Sequence, residues 1–231
     1  MKGAALSQTE DMRAFFCTLC AFVLAFAPAF FPQTPCGAQE QKVIYLTFDD
    51  GPTDSTTPKI LDILKENDVK ATFFVIGRQI GTRQEILRRT LAEGHTVGVH
   101  SYSHEYAKIY SSPNALLADI QKCRSAILAA APAWTGDLYR FPGGEGGLPQ
   151  ELGKAVRAAG YRVYGWNASV EDAVSPGADA ETLFENALRT AGERDRIILL
   201  LHDGVGYRET VKCLPRLIGY YKKKGFSFET L

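Results

Sequence analysis

From residue 43 onward, short runs of β-branched and aromatic residues alternate with stretches whose apolar positions recur every three or four residues. The first run, 43–46, is apolar throughout and stops at the turn formers Asp49-Asp50-Gly51-Pro52, which predicts a strand feeding a loop. Residues 58–67 carry Ile60, Leu61, Ile63 and Leu64 on one stripe, opened by a proline, and so predict a helix. By the same signals, strands are predicted over 71–76, 95–99, 138–141, 161–166 and 197–201, with a last one over 226–231. Helices are predicted over 84–93, 113–130, 149–159, 179–191 and 208–224, with Gly94 and Gly160 where two of them close.

Strands and helices that alternate through short connections predict a mostly parallel sheet covered by helices. About seven such units point to an α/β barrel or barrel-like fold rather than an open two-sided sheet. The polar residues sharpen this expectation. Asp49 and Asp50, His100, Arg140, Trp166 and Asn167, and His202 each fall at the C-terminal end of a predicted strand. In a parallel barrel those ends converge on one mouth, where active sites are built. His95 instead opens a strand, far from that mouth, and reads as structural.

The segment ahead of these elements has a different character. Residues 14–31 are uncharged and almost wholly apolar, and the small-residue stretch Cys36-Gly37-Ala38 follows before Gln39. Residues 1–38 therefore predict a signal peptide or an N-terminal membrane anchor, with 39–231 as one catalytic-sized domain. Glu10 and Asp11 are unusual ahead of a signal, and a start at Met12 gives Met-Arg directly before the apolar run. The expected localisation is secreted or extracytoplasmic, with membrane contact only through this segment. Cys17 and Cys20 lie inside it, whereas Cys123 and Cys213 lie on predicted helices and are open to pairing or to burial as free thiols. Formal net charge is zero and the one cationic cluster, Lys222-Lys223-Lys224, sits at a helix end, so nucleic acid is not an expected partner.

His100 and His104 form His-Ser-Tyr-Ser-His directly after a strand, a spacing that lets two imidazoles reach one ion. With a strand-end Asp-Asp on another loop, two imidazoles and one carboxylate leave coordination positions open, as in catalytic rather than structural sites. Neighbouring side chains of an extended segment face opposite ways, so one aspartate is expected at the metal and the other at protons.

Together these segments resemble a known family. Thr47-Phe48-Asp49-Asp50-Gly51-Pro52, His100-Ser101-Tyr102-Ser103-His104, Arg140-Phe141-Pro142-Gly143, Trp166 to Asp172 and Leu200-Leu201-His202 resemble, in order, the five motifs of the polysaccharide deacetylases. This is the NodB-homology domain of carbohydrate esterase family four, and the resemblance runs from Val43 to Leu231. It implies a distorted, incomplete (β/α) barrel and a metal-dependent hydrolase that removes N-acetyl groups from amino sugars. By resemblance, Asp50, His100 and His104 hold a divalent ion, usually Zn2+ and sometimes Co2+ or Ni2+. Asp49 is the implied general base, Arg140 the residue that holds it, and the Gly143 N–H the oxyanion donor. His202 is the implied general acid, oriented by Asp172, and Trp166 and Leu200 the implied walls of the acetyl-methyl pocket.

Some positions depart from the family pattern. An aromatic residue often follows the proline of the third motif, whereas here Gly143-Gly144-Glu145-Gly146-Gly147 follows. Ala173 replaces the usual tryptophan after the orienting aspartate, and Glu171 stands beside Asp172 as a competing carboxylate. The export signal on a small single domain favours peptidoglycan as the polysaccharide substrate, with chitin oligosaccharides or another exported glycan as alternatives, and a monomer as the working state. A carbohydrate-binding relative without turnover predicts loss of a motif anchor, and all five are present. A structural zinc protein predicts a fourth ligand, and none stands nearby in sequence.

Overall fold

The computed structural model describes residues 41–175 and 177–231. The predicted targeting segment, with Cys17 and Cys20, lies outside the described residues. The strands are β1 (Val43–Asp49), β2 (Thr72–Ile76), β3 (Thr96–Ser101), β4 (Leu138–Tyr139), β5 (Arg162–Val163), β6 (Ala168–Ser169), β7 (Arg196–His202) and β8 (Ser227–Phe228). The helices are α1 (Thr57–Glu66), α2 (Gly77–Ile80), α3 (Gln84–Ala92), α4 (Tyr106–Ile109), α5 (Pro113–Ala130), α6 (Gln150–Ala158), α7 (Ala180–Ala191) and α8 (Arg208–Lys223). Local signals account for the long helices. The Ser112 hydroxyl accepts the Ala115 N–H at 3.2 Å ahead of α5, and Asp179 accepts the Thr182 N–H at 2.9 Å ahead of α7.

Every strand pairing among the described residues is parallel, in the order β5-β4-β3-β2-β1-β7-β6. β8 pairs with the start of β1, at Val43 and Ile44, below the stretch that β2 occupies. A flat sheet of seven strands spaced about 4.8 Å apart would hold its edges nearly 30 Å from each other. Yet edge strands β5 and β6 are consecutive in the chain and only residues 164–167 join them. So short a segment spans less than about 20 Å even when extended, so the sheet must curl. The result is the expected incomplete (β/α) barrel, open between β5 and β6.

The period-two alternation of the strands divides the two faces of the curled sheet. Ile44, Leu46 and Phe48 of β1, Phe73 and Val75 of β2, Val97 and Val99 of β3, and Ile197, Leu199 and Leu201 of β7 belong to one buried cluster. Ile60, Leu61 and Leu64 of α1, Leu116 and Ile120 of α5, and Leu214 and Leu217 of α8 complete it, so this is the helix-covered face. The intervening positions, Thr47 and Asp49, His100, Arg140, Leu200 and His202, occupy the inner face.

Three expectations need correction. Of the strand predicted over 161–166 only β5 forms, on one edge of the sheet, and β6 on the opposite edge begins beyond it, at Ala168. Its run is broken at Tyr164 and Gly165, whose carbonyls are taken by the Arg140 guanidinium rather than by a neighbouring strand. Asn167 then docks on β7 with its side chain, bonding the Arg196 carbonyl and the Ile198 N–H. The strands predicted over 138–141 and 226–231 are shorter than expected, and the four-residue helices α2 and α4 were not anticipated. Cys123 and Cys213 are both buried free thiols. His95 is buried, its Nδ1 accepts the Ala71 N–H at 3.2 Å, and burial lowers its pKa to about 4.

Candidate metal and active site

β1 ends at Asp49, whose side chain faces inward, and the chain then turns at Asp50 with φ 80°. Strict alternation would send Asp50 to the opposite face, but its left-handed backbone brings both carboxylates to the same imidazole. Asp49 Oδ2 and Asp50 Oδ1 lie 3.8 and 3.6 Å from His100 Nε2, and Asp50 Oδ1 lies 3.3 Å from His104 Nε2.

His100 is the last inward-facing residue of β3, and its Nδ1 donates to the Arg140 carbonyl at 2.8 Å. A carbonyl can only accept, so Nδ1 carries a proton, the arrangement that aims Nε2 toward Asp50 as a ligand atom. His104 is brought back by a tight loop in which it adopts φ 58° and its N–H donates to the Ser101 hydroxyl at 2.8 Å. Asp119 of α5 ties that loop down. It accepts the Ser101 hydroxyl at 2.6 Å, the Tyr102 N–H at 2.7 Å and the Ser103 N–H at 3.0 Å. Burial lowers the His104 pKa, against the field of Asp50, which favours the unprotonated ring that a metal ligand requires.

The ligand atoms of Asp50, His100 and His104 lie within 4.8 Å of one another. Asp50 Oδ1 is buried without a hydrogen-bond partner, a costly condition for a carboxylate oxygen unless something positive sits against it. Two imidazole nitrogens facing an orphaned carboxylate oxygen fit a divalent cation with nitrogen and oxygen donors.

Asp49 is held differently. Arg140 is fully buried beneath it and donates through Nη1 to Asp49 Oδ1 at 3.0 Å and to the Thr47 hydroxyl at 2.7 Å. Its Nε and Nη2 donate to the carbonyls of Tyr164 and Gly165 at 3.2 and 2.9 Å, and the guanidinium lies 4.3 Å from the Phe74 ring centre. Burial works against the Arg140 charge and the Asp49 carboxylate supports it. Fixed by one oxygen, Asp49 keeps its second near His100.

His202 ends β7 directly beside Asp49, its register partner. Its Nδ1 donates to Asp172 Oδ1 at 2.7 Å, while Asp172 Oδ2 accepts the His202 N–H at 3.0 Å and the Thr210 hydroxyl at 2.8 Å. Burial disfavours the imidazolium, but the Asp172 hydrogen bond and charge, with Asp49 and Asp50 behind them, push the pKa up to about 9. Tyr207 stacks on the ring, with centroids 5.1 Å apart. Glu171 does not compete for this position, because it adopts φ 61° and its carboxylate turns to Arg189 at 2.6 Å.

Asp203 locks the loops after β1 and β7 together. Its N–H donates to the Asp49 carbonyl at 2.9 Å, its carbonyl accepts the Thr53 hydroxyl at 2.8 Å and its carboxylate accepts the Thr57 hydroxyl at 2.6 Å. Gly51 lies against it so closely that a Cβ there would be 2.1 Å from Asp203 Oδ2.

Phe141-Pro142-Gly143-Gly144 forms a type II turn, closed by the Gly144 N–H on the Phe141 carbonyl at 2.9 Å, with Gly143 at φ 72°. Two exposed aromatic residues flank the glycine pair. A Cβ at Gly143 would lie 3.1 Å from the Tyr106 hydroxyl, and one at Gly144 would lie 3.0 Å from the Trp166 ring. Tyr106 is 48% and Trp166 36% exposed, and the Tyr106 ring lies 5.3 Å from that of His104. Leu200 is buried on the His202 face, opposite Thr47 in register.

The sequence reading therefore missed Asp119, Tyr106, Asp203, Tyr207 and Thr210. Asp203 alone left a trace, as the residue after His202 in a Leu-His-Asp-Gly run.

A cation triad, an arginine-held carboxylate and an imidazole–carboxylate pair at one barrel mouth can activate water and protonate a leaving group, which is hydrolase chemistry. Residues 37–164 match the family model described as polysaccharide deacetylase. A Bacillus cereus peptidoglycan-N-acetylglucosamine deacetylase is 34% identical over 197 residues, 83% of this chain and 70% of the relative. A chitooligosaccharide deacetylase of Bradyrhizobium is 32% identical over 200 residues, 81% of this chain and 88% of the relative. Among solved structures, a Streptococcus mutans CE4 esterase superposes with a TM-score of 0.78 at 30% identity, covering 83% of this chain and 87% of that one. The chain belongs to the polysaccharide deacetylase family, carbohydrate esterase family four.

Proposed function

We propose that this chain removes N-acetyl groups from the amino sugars of an exported polysaccharide, most directly peptidoglycan, in a reaction that depends on a divalent metal ion. The observation that carries this reading is the orphaned Asp50 oxygen facing two imidazole nitrogens, next to an aspartate that arginine holds and beside a carboxylate-paired histidine. Asp50, His100 and His104 would hold the ion, with zinc favoured and cobalt or nickel as alternatives. When bound, such an ion lowers the pKa of water and polarises a carbonyl.

The chain's own groups supply the rest. Asp49, fixed through Oδ1 by Arg140, takes the proton of the attacking water on Oδ2. The acetamide carbon becomes tetrahedral, and the Gly143 N–H donates to the oxygen that gains charge. His202, protonated and held at Nδ1 by Asp172, gives its Nε2 proton to the amine as the carbon–nitrogen bond breaks. Acetate and a free amino sugar leave. Trp166 and Leu200 are the proposed walls around the acetyl methyl.

Relatives named as peptidoglycan-N-acetylglucosamine deacetylases support the choice of polysaccharide, and the apolar segment 14–31 supports an extracytoplasmic location, with the catalytic domain acting as a monomer. The test is acetate release from peptidoglycan and from chitooligosaccharides, before and after chelation and after return of zinc, cobalt or nickel. We expect release from peptidoglycan that chelation abolishes and metal restores. Faster turnover of chitooligosaccharides would move the chain to that substrate, a choice the similarly close chitooligosaccharide deacetylases leave open. Activity unchanged by chelation would sink the metal-dependent reading.

A further inference from the structure

The peptide that carries the Gly143 N–H sits in a loop with little intrinsic rigidity. Gly143 and Gly144 follow Pro142, and three further residues of this loop include Gly146 and Gly147. A Pro-Gly pair at the centre of a turn can adopt type I or type II geometry, since proline fits the second position of both and glycine tolerates either sign of φ at the third. The two forms differ by a rotation of the central peptide, which reverses the direction of the Gly143 N–H. The type II form is the one present, with Gly143 at φ 72°.

Something outside the turn selects it. The Tyr110 hydroxyl donates to the Pro142 carbonyl at 2.7 Å. That carbonyl belongs to the same planar peptide as the Gly143 N–H, and in a trans peptide the two point in opposite directions. Holding the carbonyl therefore aims the N–H. Tyr110 is itself fixed: it is half-buried just after α4, its ring packs 5.9 Å from Tyr106 and 6.2 Å from Phe141, and its N–H donates to the Tyr106 carbonyl at 3.0 Å. Burial pushes the Tyr110 pKa up, so its hydroxyl remains a donor throughout the working range.

We propose that Tyr110 is a positioning residue for the deacetylation: its hydroxyl locks the Pro142–Gly143 peptide in the orientation that presents the Gly143 N–H to the reacting oxygen. This rests on the deacetylase reading above and adds to it a residue outside the five motifs. In a rotated turn the Pro142 carbonyl would take the place of the N–H, turning a donor toward the developing charge into an acceptor.

The experiment is Tyr110→Phe in the full chain, which removes one oxygen and keeps the ring packing. Wild type and variant are compared with a soluble chitooligosaccharide for kcat and KM, for bound zinc, and for melting temperature. Removing an oxyanion donor outright costs about 100- to 1000-fold in kcat, so loosening its aim should cost about tenfold. We expect that loss in kcat, with KM, zinc content and melting temperature within twofold or a degree or two of wild type. Unchanged kcat would overturn the proposal. So would a loss that comes with reduced zinc or a lowered melting temperature, because Tyr110 would then act through the fold. A wild-type chain that releases no acetate from any substrate would instead remove the deacetylase reading, and this inference with it.

Discussion

Asp49 and His202 are register partners on the adjacent parallel strands β1 and β7. Partners on such strands stand about 4.8 Å apart, and both side chains face the inner side of the curled sheet. The proposed base and acid are therefore neighbours, yet each has a separate anchor of opposite charge. Arg140 holds Asp49, and Asp172 holds His202. Environments that favour an anion at one residue and a cation at the next allow proton uptake and release at a single mouth.

The two adjacent aspartates should separate cleanly. Asp49 is bonded to Arg140, whereas Asp50 Oδ1 has no donor and faces both imidazoles. We expect Asp49→Asn to lose turnover but keep bound zinc, and Asp50→Asn to lose both, as His104→Ala should. Metal content after dialysis, measured beside acetate release, checks this. If Asp49→Asn loses zinc while Asp50→Asn retains it, the roles are reversed.

Arg140 is expected to matter for stability as well as turnover. It is fully buried, and Arg140→Ala leaves the Asp49 carboxylate and the Tyr164 and Gly165 carbonyls without their donor. Breaking a buried ion pair from one side costs about 3–5 kcal/mol. Arg140→Lys keeps the charge but not the fork that reaches four acceptors, so it should recover only part of the loss. Urea denaturation of the three proteins measures this. Equal stability of Arg140→Ala and wild type would show that the guanidinium is not the keystone of this mouth.

Tyr106 takes space next to Gly143 that an aromatic residue at that position would otherwise share. With Trp166 across the glycine pair, it forms an exposed aromatic wall suited to a sugar face. Loss of an aromatic stacking contact costs about 0.5–1.5 kcal/mol, so Tyr106→Ala should raise KM for a chitin tetramer about two- to tenfold. Turnover at saturation should change little. A fall in kcat with unchanged KM would place Tyr106 in the chemistry rather than in binding.

Much of this site was legible because it depends on local order. A parallel sheet sends every strand end to one mouth, so Asp49, Asp50, His100, Arg140 and His202 declared themselves by standing at those ends. Asp119 gave no such signal: it is a mid-helix aspartate whose three bonds arise only when α5 packs beside the loop after β3. Tyr106 and Tyr110 belong to a four-residue helix and its cap, too short for any periodicity to register. Glu171 and Asp172 are rivals in the sequence because they are adjacent, whereas in the structure φ 61° at Glu171 accompanies a side chain turned toward Arg189 and Asp172 is the carboxylate bonded to His202. The strand over 161–166 was misread because Arg140, distant in sequence, captures two of its carbonyls.

His202 offers the sharpest test of the acid. In the proposed mechanism amine departure needs its proton, and a pKa pushed up to about 9 keeps that proton well above neutrality. Activity should therefore hold through neutral pH and fall on the alkaline side. A cation beside Asp49 and Asp50 would offset their share of the increase, so the limb of the metal-loaded enzyme should lie below that of an NMR titration of His202 in chelated protein. Asp172→Asn removes the partner charge and leaves burial to dominate, so the pKa should drop to or below the ordinary value of about 6.5. The alkaline limb should move the same way, and the maximal rate should fall. Stability offers a second readout. The folded pKa exceeds the unfolded one, so the stabilisation is complete below about pH 6.5 and is lost as pH rises through the folded value. The stability difference between wild type and Asp172→Asn should shrink across that window. Glu171→Gln, whose carboxylate faces Arg189, should match wild type in all three measurements. An unmoved limb in Asp172→Asn, or a larger shift in Glu171→Gln, would take the orienting role away from Asp172.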